Sequence, residues 1–165
     1  QNRHVLAFPD PALLFFDVTT RLKSPGGFRS PVDRVVTPFG KVKIDMVVGI
    51  ESRGFIFVSA VADRLGAGFS RVRKPGKLPS KTTREQYSLE YGSDALEIHE
   101  DAVMKGQKVL IVDDLLATGG TAAATNLLVK RLGGQVHALA FLIELVGLNG
   151  RKRLEGERLH TVLKY

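Results

Sequence analysis

The 165-residue chain contains no cysteine. Disulfides, thiolate zinc sites and cysteine nucleophiles are therefore excluded. No apolar run reaches the roughly 18–20 residues that cross a bilayer as a helix. Residues 1–10 lack the basic-then-apolar order of a secretory signal, which together with the missing cysteines sets the expectation of a cytoplasmic protein. Repeats, low-complexity tracts and linkers are absent too, and the length suits one domain around one core. Acidic residues are missing from one stretch in particular. Between Arg71 and Arg84 lie Arg71, Arg73, Lys74, Lys77, Lys81 and Arg84 with no carboxylate among them. Only Tyr87 and Tyr91 follow as aromatics, so no stacking platform for bases accompanies the charge. The chain carries a net charge of +7. Concentrated in a loop punctuated by glycine and proline, that charge suits a small polyanion better than a nucleic acid.

What is present alternates between strand and helix patterns. The run 44–50 (IDMVVGI) reads as a strand buried on both faces, and 55–65 carries apolar residues at helical spacing before Gly66. Residues 68–73 read as a second strand. A small antiparallel flap is expected from 87–91 and 95–98, turning at Gly92-Ser93-Asp94. The run 108–113 (KVLIVD) is another buried strand, 121–132 a helix stopped by Gly133-Gly134, and 136–143 a further strand. This alternation predicts an α/β fold: a single domain with a mostly parallel twisted sheet flanked by helices. Pro9, Pro11, Pro25, Gly26, Gly27, Pro31 and Pro38 break up the first 39 residues, which are expected to form a small irregular N-terminal cap. The core would then span 40–165, with the flexible flap at about 74–98.

The segment 109–121, VLIVDDLLATGGT, carries the chemistry. A buried strand leads to two adjacent carboxylates, Asp113 and Asp114, at the sheet edge where open parallel sheets bind ligands. Gly119 and Gly120 then allow close backbone approach, and the amides of the following helix start suit a phosphate. Thr118 and Thr121 add hydroxyl donors. Taken singly, the acids could cap a turn and the glycines could merely permit it; together on one strand–loop–helix they describe a ribose 5-phosphate site. The segment is not a Walker A loop, because no Gly-Lys-Ser/Thr stands at the required spacing, and the G-x-G-x-x-G fingerprint is also missing.

This segment resembles the phosphoribosyl pyrophosphate signature of type I phosphoribosyltransferases. GIESRGFIF at 49–57, RKPGKLP at 73–79 and YSLEYG at 87–92 resemble the adenine-specific branch of that family, and the tail pattern Glu144…Leu148-Asn149-Gly150-Arg151…Leu154 fits it. The resemblance implies transfer of the 5-phosphoribosyl group to adenine, yielding AMP and pyrophosphate, in purine salvage. Asp113 and Asp114 are then expected on the ribose hydroxyls, favouring a cationic ribose, with Ala117, Thr118, Gly119, Gly120 and Thr121 around the 5′-phosphate. Glu51, Ser52 and Arg53 would form the pyrophosphate loop with a cis bond between Glu51 and Ser52, joined by Arg73, Lys74 and Lys77. Glu90 on the flap would manage protons near the purine, steadied by Tyr91.

Adenine would lie between Phe15 and Leu115, its edge read by the backbone around Leu14 and Phe16. Phe16 departs from the family pattern, which has arginine there. Mg2+ would arrive with phosphoribosyl pyrophosphate, because no dense carboxylate or histidine cluster suggests a permanent metal site. His4, His99, His137 and His160 are scattered and read as structural. A homodimer is implied, with the segment 73–77 completing a neighbouring site. Two alternatives stay open at this point: another purine or orotate as acceptor, or a phosphoribosyl-pyrophosphate-sensing regulator that binds nucleic acid.

Overall fold

The computed structural model describes the backbone at 3–6 and 14–17, and residues 23–89 and 91–165 in full. Five parallel strands form the central sheet in the order β4-β3-β7-β8-β9: β3 (Met46–Ile50), β4 (Gly68–Val72), β7 (Lys108–Leu116), β8 (Gln135–Glu144) and β9 (Leu159–Lys164). Two antiparallel pairs accompany it, β1 (Arg3–Leu6) with β2 (Leu14–Asp17), and β5 (Thr82–Ser88) with β6 (Ser93–His99).

Alternation along the strands explains the layering, since successive side chains point to opposite faces. Val47, Leu110, Val112, Ala138 and Ala140 face helix α1 (Pro25–Val36) and helix α2 (Gly54–Leu65), packing with Val32, Val35, Phe57, Val58 and Val61. On the opposite face Val48, Ile50, Val109, Ile111, Leu139 and Phe141 meet Leu128 and Val129 of helix α3 (Gly120–Arg131) and Leu96 and Ile98 of the β5–β6 hairpin. Phe57 and Phe141 are wholly enclosed. Truncating either to alanine would cost about 3–5 kcal/mol in lost transfer energy and cavity formation.

The sheet belongs to the predicted class, and several boundaries move. The region expected to be irregular contains α1. Ser24 accepts the Gly27 N–H at 3.1 Å through its side-chain oxygen, and Pro25 occupies the first helical position, where a missing N–H costs nothing. A 3-10 turn, Thr37–Phe39, then buries Phe39 in the same core as Val32 and Val35. Pro25 therefore starts this helix, and Gly26, Gly27 and Pro31 lie within it without ending it. The flap is a longer hairpin than expected, with Ser88 opposite Ser93 and the Leu89 N–H bonded to the Gly92 carbonyl at 3.0 Å, so Tyr91 lies outside both strands. The strand β9, for which the sequence set no expectation, forms the sheet edge beside β8.

Topology fixes where a ligand can enter. From β3 the chain moves outward to β4, whereas from β7 it moves the opposite way to β8. The crevice at the carboxyl ends of β3 and β7 lies at this switch in direction, the place where open parallel sheets bind ligands.

Candidate functional site

A cleft of about 460 Å³ opens at that switch point, lined by β3's exit (Ile50–Arg53), by residues 113–122, and by Lys74, Tyr87, Leu89 and Asp94. The two carboxylates are not at the end of β7, as the sequence had suggested. β7 continues to Leu116, paired with β8 through Leu115↔Ile143 and Leu116↔Glu144, while its pairing with β3 stops at Gly49↔Val112. Beyond Val112 one edge of β7 is therefore unpaired with β3, and the acids sit on that opened edge.

Asp113 is buried and accepts the Asp114 N–H at 2.9 Å through its own carboxylate. Burial, and then the neighbouring Asp114 charge, push its carboxyl well above the usual carboxylate range. Gly54, at the start of α2, makes room for it. A β-carbon there would lie 2.6 Å from Asp113 Oδ1. Asp114 pairs with Arg53 Nε at 3.0 Å. Ala117, Thr118, Gly119, Gly120 and Thr121 line the cleft immediately afterwards. Gly119 takes the left-handed φ of 81°, and no side chain caps the N-terminus of α3. Its first-turn amides are thus available to an anion.

The bond between Glu51 and Ser52 is cis. The Glu51 carboxylate gathers the basic segment, accepting from Lys77 Nζ at 2.6 Å, the Lys74 N–H at 2.7 Å and Arg73 Nε at 3.2 Å. Burial opposes its charge, but the bonds from Lys77 and the Lys74 amide outweigh that and hold its carboxyl below the ordinary value. Lys74 itself reaches the hairpin. Its ammonium donates to Tyr87 Oη at 2.8 Å and pairs with Asp94. Arg73, Lys74 and Lys77 are thus tied to Glu51, Tyr87 and Asp94 of their own chain.

The hairpin is fastened elsewhere as well. Arg131 donates to the Arg84 carbonyl at 2.8 Å and pairs with Glu85, and Arg153 donates to the Ser88 carbonyl at 3.1 Å. Tyr91, in the turn, is 92% exposed. Glu90 lies outside the described residues, as do the side chains of Leu14, Phe15 and Phe16; Leu115, the other residue expected at the base, lines the cleft.

Sequence reasoning missed Tyr87 and Asp94 as partners of Lys74, since nothing local links positions 74 and 94. It also missed Gly54, whose place beside Asp113 follows only from the sheet register. The comparisons agree with the geometry. The phosphoribosyl transferase domain family matches residues 37–159, so fold and cleft together define a phosphoribosyltransferase. The chain is 54% identical over 163 residues to the adenine phosphoribosyltransferase of Thermotoga neapolitana, covering 99% of this chain and 96% of that one. It superposes on the crystal structure of the Rhodothermus marinus adenine phosphoribosyltransferase with a TM-score of 0.95 and 52% identity, covering 99% and 94% of the two chains. The Saccharomyces cerevisiae enzyme, solved with adenine and an imino-altritol bisphosphate, gives 0.92 at 41% identity, covering 98% and 94%. The chain belongs to the adenine phosphoribosyltransferase family.

Proposed function

We propose that this chain moves the 5-phosphoribosyl group from phosphoribosyl pyrophosphate to adenine, giving AMP and pyrophosphate. One observation carries the reading. A carboxylate pair stands directly before an uncapped phosphate-sized loop, and a cationic group of Arg53 and Lys74 faces it across one cleft. A ribose phosphate bearing a pyrophosphate needs those three features in that order. The yeast relative's complex with adenine and a sugar-like bisphosphate supports the same pairing of ligands.

In this scheme Asp113 and Asp114 hold the ribose 2′- and 3′-hydroxyls, and residues 117–121 surround the 5′-phosphate. Arg53, Arg73, Lys74 and Lys77 receive the pyrophosphate. Adenine attacks C1′ through a ring nitrogen as the bond from C1′ to the pyrophosphate oxygen breaks. The nitrogen's proton leaves in the same process, and Glu90 is the group we assign to it. Positive charge grows on the ribose in the transition state, and the nearby carboxylates stabilise it more than they stabilise the ground state. Leu115 packs against the base from one side and residues 14–16 from the other, with Tyr91 steadying the hairpin turn.

Magnesium fits this site as an ion that travels with the substrate. Glu51 and Asp114 are already engaged by cationic partners, which suits a metal that brings its own phosphate and water oxygens. When bound it neutralises charge on the leaving pyrophosphate. We also place the protein in a cytoplasmic homodimer. The chain lacks cysteine, no described helix is long and apolar enough to cross a membrane, and Ile56 and Phe69 leave apolar surface exposed at 45% and 43%. Sedimentation as a monomer at assay concentrations would end the dimer proposal. The main reading is tested by base-dependent pyrophosphate release with adenine, hypoxanthine, guanine, xanthine and orotate. Adenine should dominate, and a preference for another base would overturn it.

A further inference from the structure

Behind the phosphate loop, on the side away from the cleft, two backbones touch. A β-carbon on Gly119 would lie 2.5 Å from the Gly150 carbonyl oxygen. One on Gly150 would lie 2.3 Å from the Ala117 carbonyl oxygen and 3.1 Å from the Gly119 nitrogen. Gly119 is therefore needed for more than ligand approach: its bare α-carbon lets the tail segment press on the loop.

That segment is itself held firmly. The Leu145 N–H donates to the Leu116 carbonyl at 2.9 Å, joining the end of β8 to the residue just before the loop. Asn149 turns the chain with a left-handed φ of 54°, and its carbonyl accepts the Lys152 N–H at 3.0 Å. Arg151 then forks onto Glu144, Nε to Oε1 at 2.6 Å and Nη2 to Oε2 at 2.8 Å, with Nη2 also 3.3 Å from Thr161 Oγ1 on β9. Glu144 is buried at the end of β8, where its carbonyl accepts the Tyr165 N–H at 2.9 Å. Two parallel charge-assisted bonds fix direction as well as distance. Glu144, Gly150 and Arg151 are not among the residues lining the cleft.

We propose that the segment 144–154 is a buttress that sets the shape of the phosphate loop, with Gly150 and the Glu144–Arg151 pair as positioning residues for a ribose-borne phosphate monoester. This rests on the reading of 117–121 as the 5′-phosphate loop. Backbone amides bind an anion well only when several converge on it at once, so a shift of the loop by a fraction of an ångström is costly for that ligand. The same shift leaves the Glu51–Arg53 turn alone, because that turn follows β3 and is not in contact with Gly150.

Gly150→Ala is the direct test. Gly150 lies in a 3-10 turn with φ outside the left-handed region, so the added methyl acts through its contacts and not through backbone strain. AMP and ribose 5-phosphate should bind about tenfold or more weakly, while pyrophosphate and adenine stay within about twofold. Arg151→Lys keeps the charge but loses the fork, and should shift the same ligands in the same direction by a smaller factor. Hydrogen exchange in the ligand-free variants should quicken at 117–121 and not at 51–54. Equal weakening of AMP and pyrophosphate would overturn the proposal, as would unchanged AMP affinity and unchanged exchange in folded variants. If wild-type protein binds neither AMP nor ribose 5-phosphate, the phosphoribosyl reading fails. The exchange comparison then decides the buttress separately: local quickening at 117–121 supports it and none overturns it.

Discussion

Across the cleft, the residues from Asp113 to Thr121 are positioned by backbone: β7 pairs with β8 up to Leu116, the helix α3 follows at once, and Gly150 closes the loop from behind. The facing group is positioned by charge: Arg53 on Asp114, Arg73 and Lys77 on Glu51, Lys74 on Asp94. In the proposed scheme the first region receives its anion without breaking an ion pair. In the same scheme the second exchanges carboxylate partners for phosphate oxygens when the anion arrives. A loop built from backbone can be selective for shape, and a cluster built from ion pairs can respond to charge and ionic strength. Recognition in the proposed scheme is therefore divided between a fixed half and an exchangeable half of the cleft.

The largest expected effect lies where the two halves meet. Asp114→Asn removes the carboxylate that pairs with Arg53 and that we propose faces the ribose, and should lower kcat/KM by about 10²–10³ in steady-state assays, as loss of one transition-state electrostatic contact does. A loss confined to KM would show that Asp114 only binds. Next comes the exchangeable half. Lys74→Gln should raise KM for phosphoribosyl pyrophosphate by about tenfold and flatten its dependence on added salt, with kcat changing less. An unaltered salt dependence would remove Lys74 from the pyrophosphate site.

Asp113 sharpens the contrast through stability. Its folded carboxyl titrates well above the unfolded one, so the folded state holds the extra proton over the interval between them. Stability is consequently lost as pH rises from the ordinary carboxylate value towards the folded one, and the full penalty is present above it. Asp113→Asn cannot ionise, and it can still accept the Asp114 N–H. It should raise Tm by about 2–4 °C near pH 8, corresponding to about 1 kcal/mol, with the gain vanishing near pH 4 while activity falls. A gain that is equal at both pH values would mean that ionisation is not its source. The smallest effect belongs to the ion pair at the hairpin. Asp94 and Lys74 are both partly exposed, so Asp94→Asn should cost only about 0–1 kcal/mol in denaturant unfolding. A larger loss would show that the hairpin depends on this pair more than on Arg131 and Arg153.

The buried strands were legible because they are short apolar runs bounded by glycine and acid, and the strand–loop–helix at 108–131 because Asp-Asp and Gly-Gly mark where the apolar run gives way to a turn. The cis bond at Glu51–Ser52 and the grouping of Glu51, Ser52, Arg53 and Lys74 about the acids agree with the family resemblance. Helix α1 was hidden by its prolines: the signals that break a helix in its interior also begin one at its first turn, and Ser24 decides between them only when its bond to Gly27 is seen. The extension of β7 beyond Asp113 to Leu116 was hidden because charged residues interrupt the apolar run, while register with β8 continues the pairing. Gly119 has a second contact that the sequence did not reveal. Its suitability for close backbone approach was visible, but the carbonyl of Gly150 against its α-carbon belongs to tertiary structure alone.

The division of labour in the cleft can be tested most directly by a crystal structure with AMP bound. The account places the 5′-phosphate on the amides of residues 118–121, the ribose hydroxyls on Asp113 and Asp114, and leaves Lys77 paired with Glu51. A phosphate seated instead between Arg53, Lys74 and Lys77, with 117–121 empty, would contradict it.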